Sequence, residues 1–257
     1  MKLNAKRYSE QGEPLILMHG LFGSYGNLGW QARELAKQFA VVSLDLRNHG
    51  GSPHSDQMDY PSMAADVIEY MDDKGLDACH LLGHSMGGKV AMQIALLAPQ
   101  RVLSLIVADI APVTYQKSEH EEIFRGLNAL DLASLSSRKD ADLALEAYEP
   151  NEMVRQFLLT NLVKDKTTGF AWRINLHALE ANYDALRAKP VGDTPFVGRV
   201  LFIKGADSAY IKEEYRDEIL ALFPNASVKV IMQTGHWLHA EKPQTFFRIA
   251  NDFLQNT

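Results

Sequence analysis

Short apolar runs rich in Val, Ile and Leu recur along the chain, separated by segments whose apolar positions return every three or four residues. The runs are "PLILMHG" from Pro14, "AVVSLDL" from Ala40, "CHLLGHS" from Cys79, "VLSLIVADI" from Val102, "RVLFIKG" from Arg199 and "SVKVIMQ" from Ser227. Continuous apolar runs of this length predict strands buried on both faces, and the intervening helical periodicity predicts the crossover helices of a mostly parallel sheet. One such helix is predicted over "YPSMAADVIEYMDDKG", with Pro61 near its start and Gly75 at its end. The fold class is therefore α/β.

From Ala111 to Gly198 the alternation stops. This stretch offers no convincing strand, but it holds helix-like segments such as "EEIFRGLNALDLASL" and "NEMVRQFLLTNLV". It predicts a helical cap over residues 113–190, inserted into a core made of residues 1–112 and 191–257. An insertion at the C-terminal edge of an open α/β sheet lies over the place where such folds bind ligands. Within the cap, Phe124, Leu127, Leu130, Phe157 and Leu158 fall at helical spacing and are expected to be core.

Composition narrows the function. The 257 residues are 46% hydrophobic and 23% charged, enough for one large core and unlike a disordered chain. The formal net charge is −6 and basic residues do not cluster, so no nucleic-acid partner is expected. No apolar stretch nears the roughly 20 residues of a membrane span, and the first residues lack the apolar centre of a signal peptide, so no membrane span and a cytoplasmic location are expected. The lone Cys79 offers neither a disulfide nor a cysteine metal site and is expected in the core.

"LLGHSMGGKV" carries the chemistry. Gly83, Ser85 and Gly87 form G-x-S-x-G between a predicted strand and a predicted helix, the context in which a serine is held on a sharp turn as a nucleophile. Small residues are needed on either side because neighbouring backbone approaches closely, and the following helix N-terminus favours negative charge. Two backbone N–H groups are candidates for an oxyanion hole: Leu21, after the strand that ends in His19-Gly20, and Met86, after the serine. His19 is then expected to brace its loop.

A nucleophilic serine needs a base, and the chain has nine histidines. His54, His80, His120 and His177 are read as solvated surface residues, and His84 as packed in the elbow. His236 in "MQTGHWLHAEKP" follows the last predicted strand, with Gly235 allowing a sharp turn there. His239 is its competitor.

Through "LMHGLFGS", "LDLRNHGGSP", "LLGHSMGG" and "GHWLHAEKP", in that order, the chain resembles the α/β-hydrolase superfamily over nearly its whole length. The superfamily order of nucleophile, acid and histidine favours His236 as the base. "HGLFGSYGNLG", "DLRNHGGSPH", "GHSMGGK" and "ADIAPV" resemble the small bacterial YbfF-type esterases more narrowly. That resemblance implies a serine esterase that hydrolyses carboxylic esters and acyl-CoA thioesters through an acyl-enzyme, with small-molecule substrates and no cofactor or metal.

The acid departs from the common superfamily pattern. In "FIKGADSAY" the third residue after Gly205 is Ser208, and Asp207 comes one position early. Asp109 ends the strand next after the nucleophile's and is the other candidate. The YbfF-type resemblance implies Asp109 as acid with a supporting hydrogen bond from Ser208, leaving Asp207 as a turn residue. Carbon–carbon bond hydrolysis, lactone opening, perhydrolysis and a binding protein with weak turnover stay open as rival functions, because the cap and not the triad selects the substrate.

Overall fold

The computed structural model describes residues 1–165 and 169–256. The strands are β1 (Ala5–Arg7), β2 (Pro14–Met18), β3 (Ala40–Leu44), β4 (Cys79–His84), β5 (Val102–Ala108), β6 (Leu162–Asp165), β7 (Gly169–Trp172), β8 (Arg199–Gly205) and β9 (Ala226–Ile231). The helices are α1 (Gly29–Leu35), α2 (Tyr60–Asp73), α3 (Met86–Leu97), α4 (Glu121–Ala129), α5 (Arg138–Leu145), α6 (Glu152–Leu159), α7 (Leu176–Ala181), α8 (Tyr183–Arg187), α9 (Arg216–Leu222), α10 (Leu238–Glu241) and α11 (Pro243–Gln255).

The main sheet runs in the order β1-β3-β2-β4-β5-β8-β9. All its pairs are parallel except the edge pair of β1 with β3. Each of the six apolar runs forms one of its strands. Alternate residues divide between two cores, as the period of two in a strand requires. Leu15, Leu17, Leu82, Ile106 and Ile203 pack with Leu35 of α1 and Phe246 and Leu254 of α11 on one face. Ile16, Met18, Leu81, Val107 and Phe202 pack with Val67 of α2, Val90 of α3 and Ile219 of α9 on the other. Asp59 caps α2 by accepting from the Ser62 N–H at 2.7 Å. Gly75 beyond its end has φ 64°, where a side chain would be strained. Cys79 is buried in the core, where burial pushes its thiol up to about 12.

Between β5 and β8 lie helices α4 to α8 and the hairpin β6–β7. The hairpin corrects the expectation of a strandless insertion and shortens the helix expected over "NEMVRQFLLTNLV", which stops at Leu159. Asn161 explains the stop. Its buried Nδ2 donates to the Phe22 carbonyl at 2.7 Å, in the loop after β2, and its own carbonyl accepts from the Arg173 N–H at 2.8 Å. A side chain bonded outward to another loop, with its carbonyl paired across the hairpin, cannot continue the helix ladder. Phe124, Leu127 and Leu158 are core as expected, Leu130 and Phe157 are partly buried against the core, and Phe157 and Leu158 also line a cavity described below. Among the described residues no helix is long and apolar enough to cross a membrane.

Both roots of this insertion are tied to α3. The ammonium of Lys89, 1% exposed, donates to the carbonyls of Val113 at 2.9 Å, Arg187 at 2.9 Å and Ala188 at 2.6 Å. Burial pushes Lys89 down to about 7. The three carbonyls oppose proton loss, since a neutral amine has only two hydrogens to donate. The rings of Tyr115 and Tyr60 flank the ammonium at 4.8 and 5.4 Å. Gln93, one turn on, exchanges two hydrogen bonds with the backbone of Val191, at 2.5 and 3.0 Å.

Lys89→Met keeps the apolar stem and leaves the carbonyls of Val113 and Ala188 unpaired, while that of Arg187 keeps the Tyr115 N–H at 3.0 Å. It is expected to cost about 3 kcal/mol of stability, read as a lower urea midpoint at unchanged slope. A midpoint within error of the parent protein would show that the carbonyls find other partners.

Candidate active site

Ser85 stands where β4 reverses into α3 with no intervening loop. Its backbone has φ 53° and ψ −119°, a conformation that a side chain adopts only under constraint. The constraint comes from close packing. A Cβ on Gly83 would lie 2.1 Å from the Gly87 carbonyl oxygen, and one on Gly87 would lie 2.4 Å from that of Met18. The Ser85 N–H continues the parallel ladder by donating to the Ala108 carbonyl at 2.9 Å. The Oγ therefore stands at the C-terminal edge of the sheet, over the start of α3.

Asp109 occupies the equivalent place one strand over. Its N–H donates to the Ile203 carbonyl at 2.8 Å, its φ is also 53°, and it is fully buried. Its carboxylate accepts from the Gly205 N–H at 3.0 Å, from the Ser208 hydroxyl and from His236 Nδ1 at 2.8 Å. These bonds satisfy a charge that would otherwise be costly to bury. Asp207 is exposed, its N–H donating to the Thr234 carbonyl at 2.9 Å.

His236 is positioned from several sides. The Tyr210 ring packs against its imidazole at 4.1 Å between centroids, and its carbonyl accepts from His84 Nε2 at 2.8 Å. The turn before it does not depend on Gly235 in the way the sequence suggested. The positive φ falls on Gln233, at 55°, and a Cβ on Gly235 would meet only Glu241 Oε1, at 3.5 Å. The glycine under constraint is Gly205, whose Cβ would lie 2.2 Å from the Gly235 carbonyl oxygen. His239 is buried behind the site, with its ring 4.3 Å from that of His84.

The loop after β2 is braced by two neutral histidines. His19 Nδ1 donates to the Gly20 carbonyl at 2.7 Å, so its Nε2 is free to accept from the Leu46 N–H at 3.0 Å. His49 Nδ1 donates to the Arg47 carbonyl at 2.9 Å, and its Nε2 accepts from the Phe22 N–H at 3.1 Å. Burial pushes His19 down to about 4 and His49 to about 3. With the N–H of Phe22 and of Gly23 engaged, those of Leu21 and Met86 are left without a hydrogen-bond partner among the described residues.

Two cavities meet at Ser85. The larger, about 210 Å³, is lined by His236, His84, Trp237, Phe157, Leu158 and Val154 among others. The smaller, about 50 Å³, is lined by Met86, Ile110, Tyr60, Tyr115, Leu186 and Lys89 among others. Leu21, Ser85, Glu119, His120 and Tyr210 line both.

Two histidines expected on the surface are not there. His80 is fully buried in β4, with Nδ1 2.8 Å from the Ser104 hydroxyl, because a strand buried on both faces takes every side chain inside. His120 is half-buried at the boundary of the two cavities. The Tyr183 hydroxyl accepts from the His120 N–H at 3.3 Å and pairs with its Nδ1 at 2.6 Å. Burial pushes His120 down to about 4. Tyr210 and Trp237 were also missed as site residues. Trp237 adjoins the singled-out His236, and that adjacency was the available signal.

Comparison with known proteins points one way. A family model described as the alpha/beta hydrolase fold matches residues 13–243. The chain is 39% identical over 263 positions to Esterase YbfF of Escherichia coli (strain K12), with both chains covered in full. It is 40% identical over 252 positions to the sn-1-specific diacylglycerol lipase ABHD11 of Xenopus laevis, covering 95% of this chain and 80% of that protein. A solved structure of a marine microorganism esterase superposes with a TM-score of 0.96 at 38% identity, covering 98% of this chain and 99% of that one.

The buried neutral histidines make a testable demand on acid stability. In the unfolded chain His19, His49, His120 and His239 regain an ordinary pKa near 6.5, whereas burial holds them at about 4, 3, 4 and 3 in the fold. Below pH ~6.5 the unfolded state binds more protons, so stability is complete above that pH and is lost as pH falls toward 4. Each histidine contributes a slope of about 1.4 kcal/mol per pH unit in this window. Urea midpoints are expected to be level from pH 7 to 8 and to fall steeply from 6.5 to 5. A flat profile to pH 5 would contradict this account.

Proposed function

The chain belongs to the α/β-hydrolase family, and from that premise we propose that it is a serine esterase with Ser85 as nucleophile, His236 as base and Asp109 as acid. The observation that carries this reading is the hydrogen bond from His236 Nδ1 to the buried Asp109 carboxylate, with the same imidazole lining the cavity that contains Ser85. Donating through Nδ1 fixes the tautomer and leaves Nε2 as the acceptor for the Ser85 proton.

The chemistry follows from these positions. As His236 takes the proton, Ser85 Oγ attacks the ester carbonyl, and the N–H groups of Leu21 and Met86 stabilise the oxyanion, aided by the positive end of α3. Collapse breaks the bond to the leaving oxygen, which receives the proton from His236. Water, activated by the same imidazole, then releases the acid. Asp109 stabilises the imidazolium formed at each step. Ser208 and the Gly205 N–H hold the carboxylate in place, so Ser208 is a positioning residue. Thioesters present the same acyl carbon, and the YbfF-type motifs of the sequence imply acyl-CoA thioesters as further substrates.

Ser85→Ala is expected to abolish hydrolysis of p-nitrophenyl acetate with an unchanged circular dichroism spectrum, and to block labelling by a fluorophosphonate. Asp109→Asn is expected to lower turnover about 10³–10⁴-fold, Ser208→Ala about tenfold, and the exposed Asp207→Asn less than about twofold. A crippled Asp207→Asn beside an active Asp109→Asn would reverse the assignment of the acid.

Thiol release from acetyl-CoA and butyryl-CoA is expected to exceed that of the Ser85→Ala control. No release from either would restrict the enzyme to oxygen esters.

A further inference from the structure

The two cavities divide the substrate between them. When the tetrahedral intermediate collapses, the acyl carbon keeps its new bond to Ser85 Oγ and loses its bond to the leaving oxygen. The proton taken from Ser85 passes from His236 to that oxygen, so the leaving group must lie beside His236. His236 lines the larger cavity and is not among the residues lining the smaller one. With the oxyanion directed at the N–H groups of Leu21 and Met86, the remaining substituent of the carbonyl carbon, the acyl chain, has the smaller cavity open to it.

That cavity is small, and its wall of Tyr60, Tyr115 and Lys89 is held, while exposed Lys117 and Glu119 line its open side. At about 50 Å³ it has room for roughly three or four water-sized groups, the reach of a two- to four-carbon chain. The Tyr60 hydroxyl donates to the Leu186 carbonyl at 2.6 Å. The Tyr115 hydroxyl accepts from the Ala111 N–H at 2.9 Å and donates to the Tyr210 carbonyl at 2.6 Å. Lys89 is held by three carbonyls between those two rings. Retreat of any of these walls would strand a buried polar group. The larger cavity, about four times the volume, is walled by Phe157, Leu158, Val154 and Trp237, apolar side chains with fewer polar ties.

Resting on the serine esterase reading, we propose that this protein is selective for short acyl groups, of about two to four carbons, and tolerant of bulky leaving groups, with Leu186 and Tyr60 closing the acyl cavity. Leu186 of α8 is 7% exposed and lines the smaller cavity, so trimming it lengthens the space available to the chain.

The test uses the full chain and two substrate series. In p-nitrophenyl esters from acetate to decanoate, kcat/KM is expected to fall at least about tenfold between butyrate and octanoate. In acetates of p-nitrophenol, naphthol and 4-methylumbelliferone it is expected to vary less than about threefold once corrected for leaving-group pKa. Leu186→Ala, checked by fluorophosphonate labelling of Ser85, is expected to raise octanoate relative to butyrate by at least about tenfold. Octanoate or decanoate turned over by the unmodified protein as well as butyrate would overturn the proposal while leaving the esterase reading intact. So would a labelled Leu186→Ala with the parent's chain-length profile. If Ser85 resists labelling and no ester is cleaved, the esterase reading fails and the proposal falls with it.

Discussion

The reversal from β4 into α3 leaves no room for error, and the rest of the site is arranged around it. The Gly87 carbonyl passes so near the Gly83 Cα that a Cβ there would lie 2.1 Å from it, and Gly87 in turn faces the carbonyls of Met18 and His19 at the end of β2. Three chain segments thus meet with nothing but backbone between them. Ser85 accepts a φ of 53° because the sheet holds its N–H on Ala108 and the helix holds its carbonyl on the Lys89 N–H. The strain is supported by hydrogen bonds on both sides of the residue. Leu21 and Met86, whose N–H groups have no hydrogen-bond partner among the described residues, line the smaller cavity together with Ser85.

Charge is managed with equal economy around that turn. Asp109 is fully buried and accepts hydrogen bonds from Gly205, Ser208 and His236. The histidines nearest to it are kept neutral by burial, His239 down to about 3 and His84 well below its ordinary value. A second imidazolium beside His236 would compete with its Nδ1 for the carboxylate. Burying His84, His239 and His120 as neutral rings leaves His236 as the partner of Asp109. The cost of that arrangement is paid in acid, where the unfolded chain can take up the protons that the fold refuses.

Five of the six long strands were legible because they are continuous apolar runs buried almost throughout, recognisable without knowing their neighbours; the sixth, β9, also reads as an apolar run although four of its six residues are exposed at the sheet edge. What escaped had a different physical basis. β1 is three residues long, half-buried or exposed, and formed by an edge pairing whose partner lies far along the chain. The hairpin β6–β7 replaces helix because Asn161 bonds across to Phe22, a contact that local periodicity cannot contain. His80 and His120 look like surface residues in the one-dimensional pattern, yet one lies in a doubly covered strand and the other under the cavity roof. The G-x-S-x-G motif was readable because its glycines answer a local steric demand. Gly235 was misjudged for the opposite reason: the tight approach belongs to Gly205, and the turn is made at Gln233.

Lys89 joins the insertion to the helix that begins at the serine. It lies four residues after Ser85, so its side chain is on the next turn of α3 and faces the same edge of the sheet. Its carbonyl partners, Val113, Arg187 and Ala188, stand where the chain leaves the core and where it returns. An ammonium with three acceptors has no proton to spare, and two of them, the carbonyls of Val113 and Ala188, would otherwise be unpaired, while that of Arg187 also accepts from the Tyr115 N–H. The two ends of the insertion therefore cannot separate from each other without separating from α3. The smaller cavity, walled by Tyr60, Tyr115 and Leu186 among others, lies beside these ties, whereas the larger lies against α4 and α6, farther along the insertion from both of its roots.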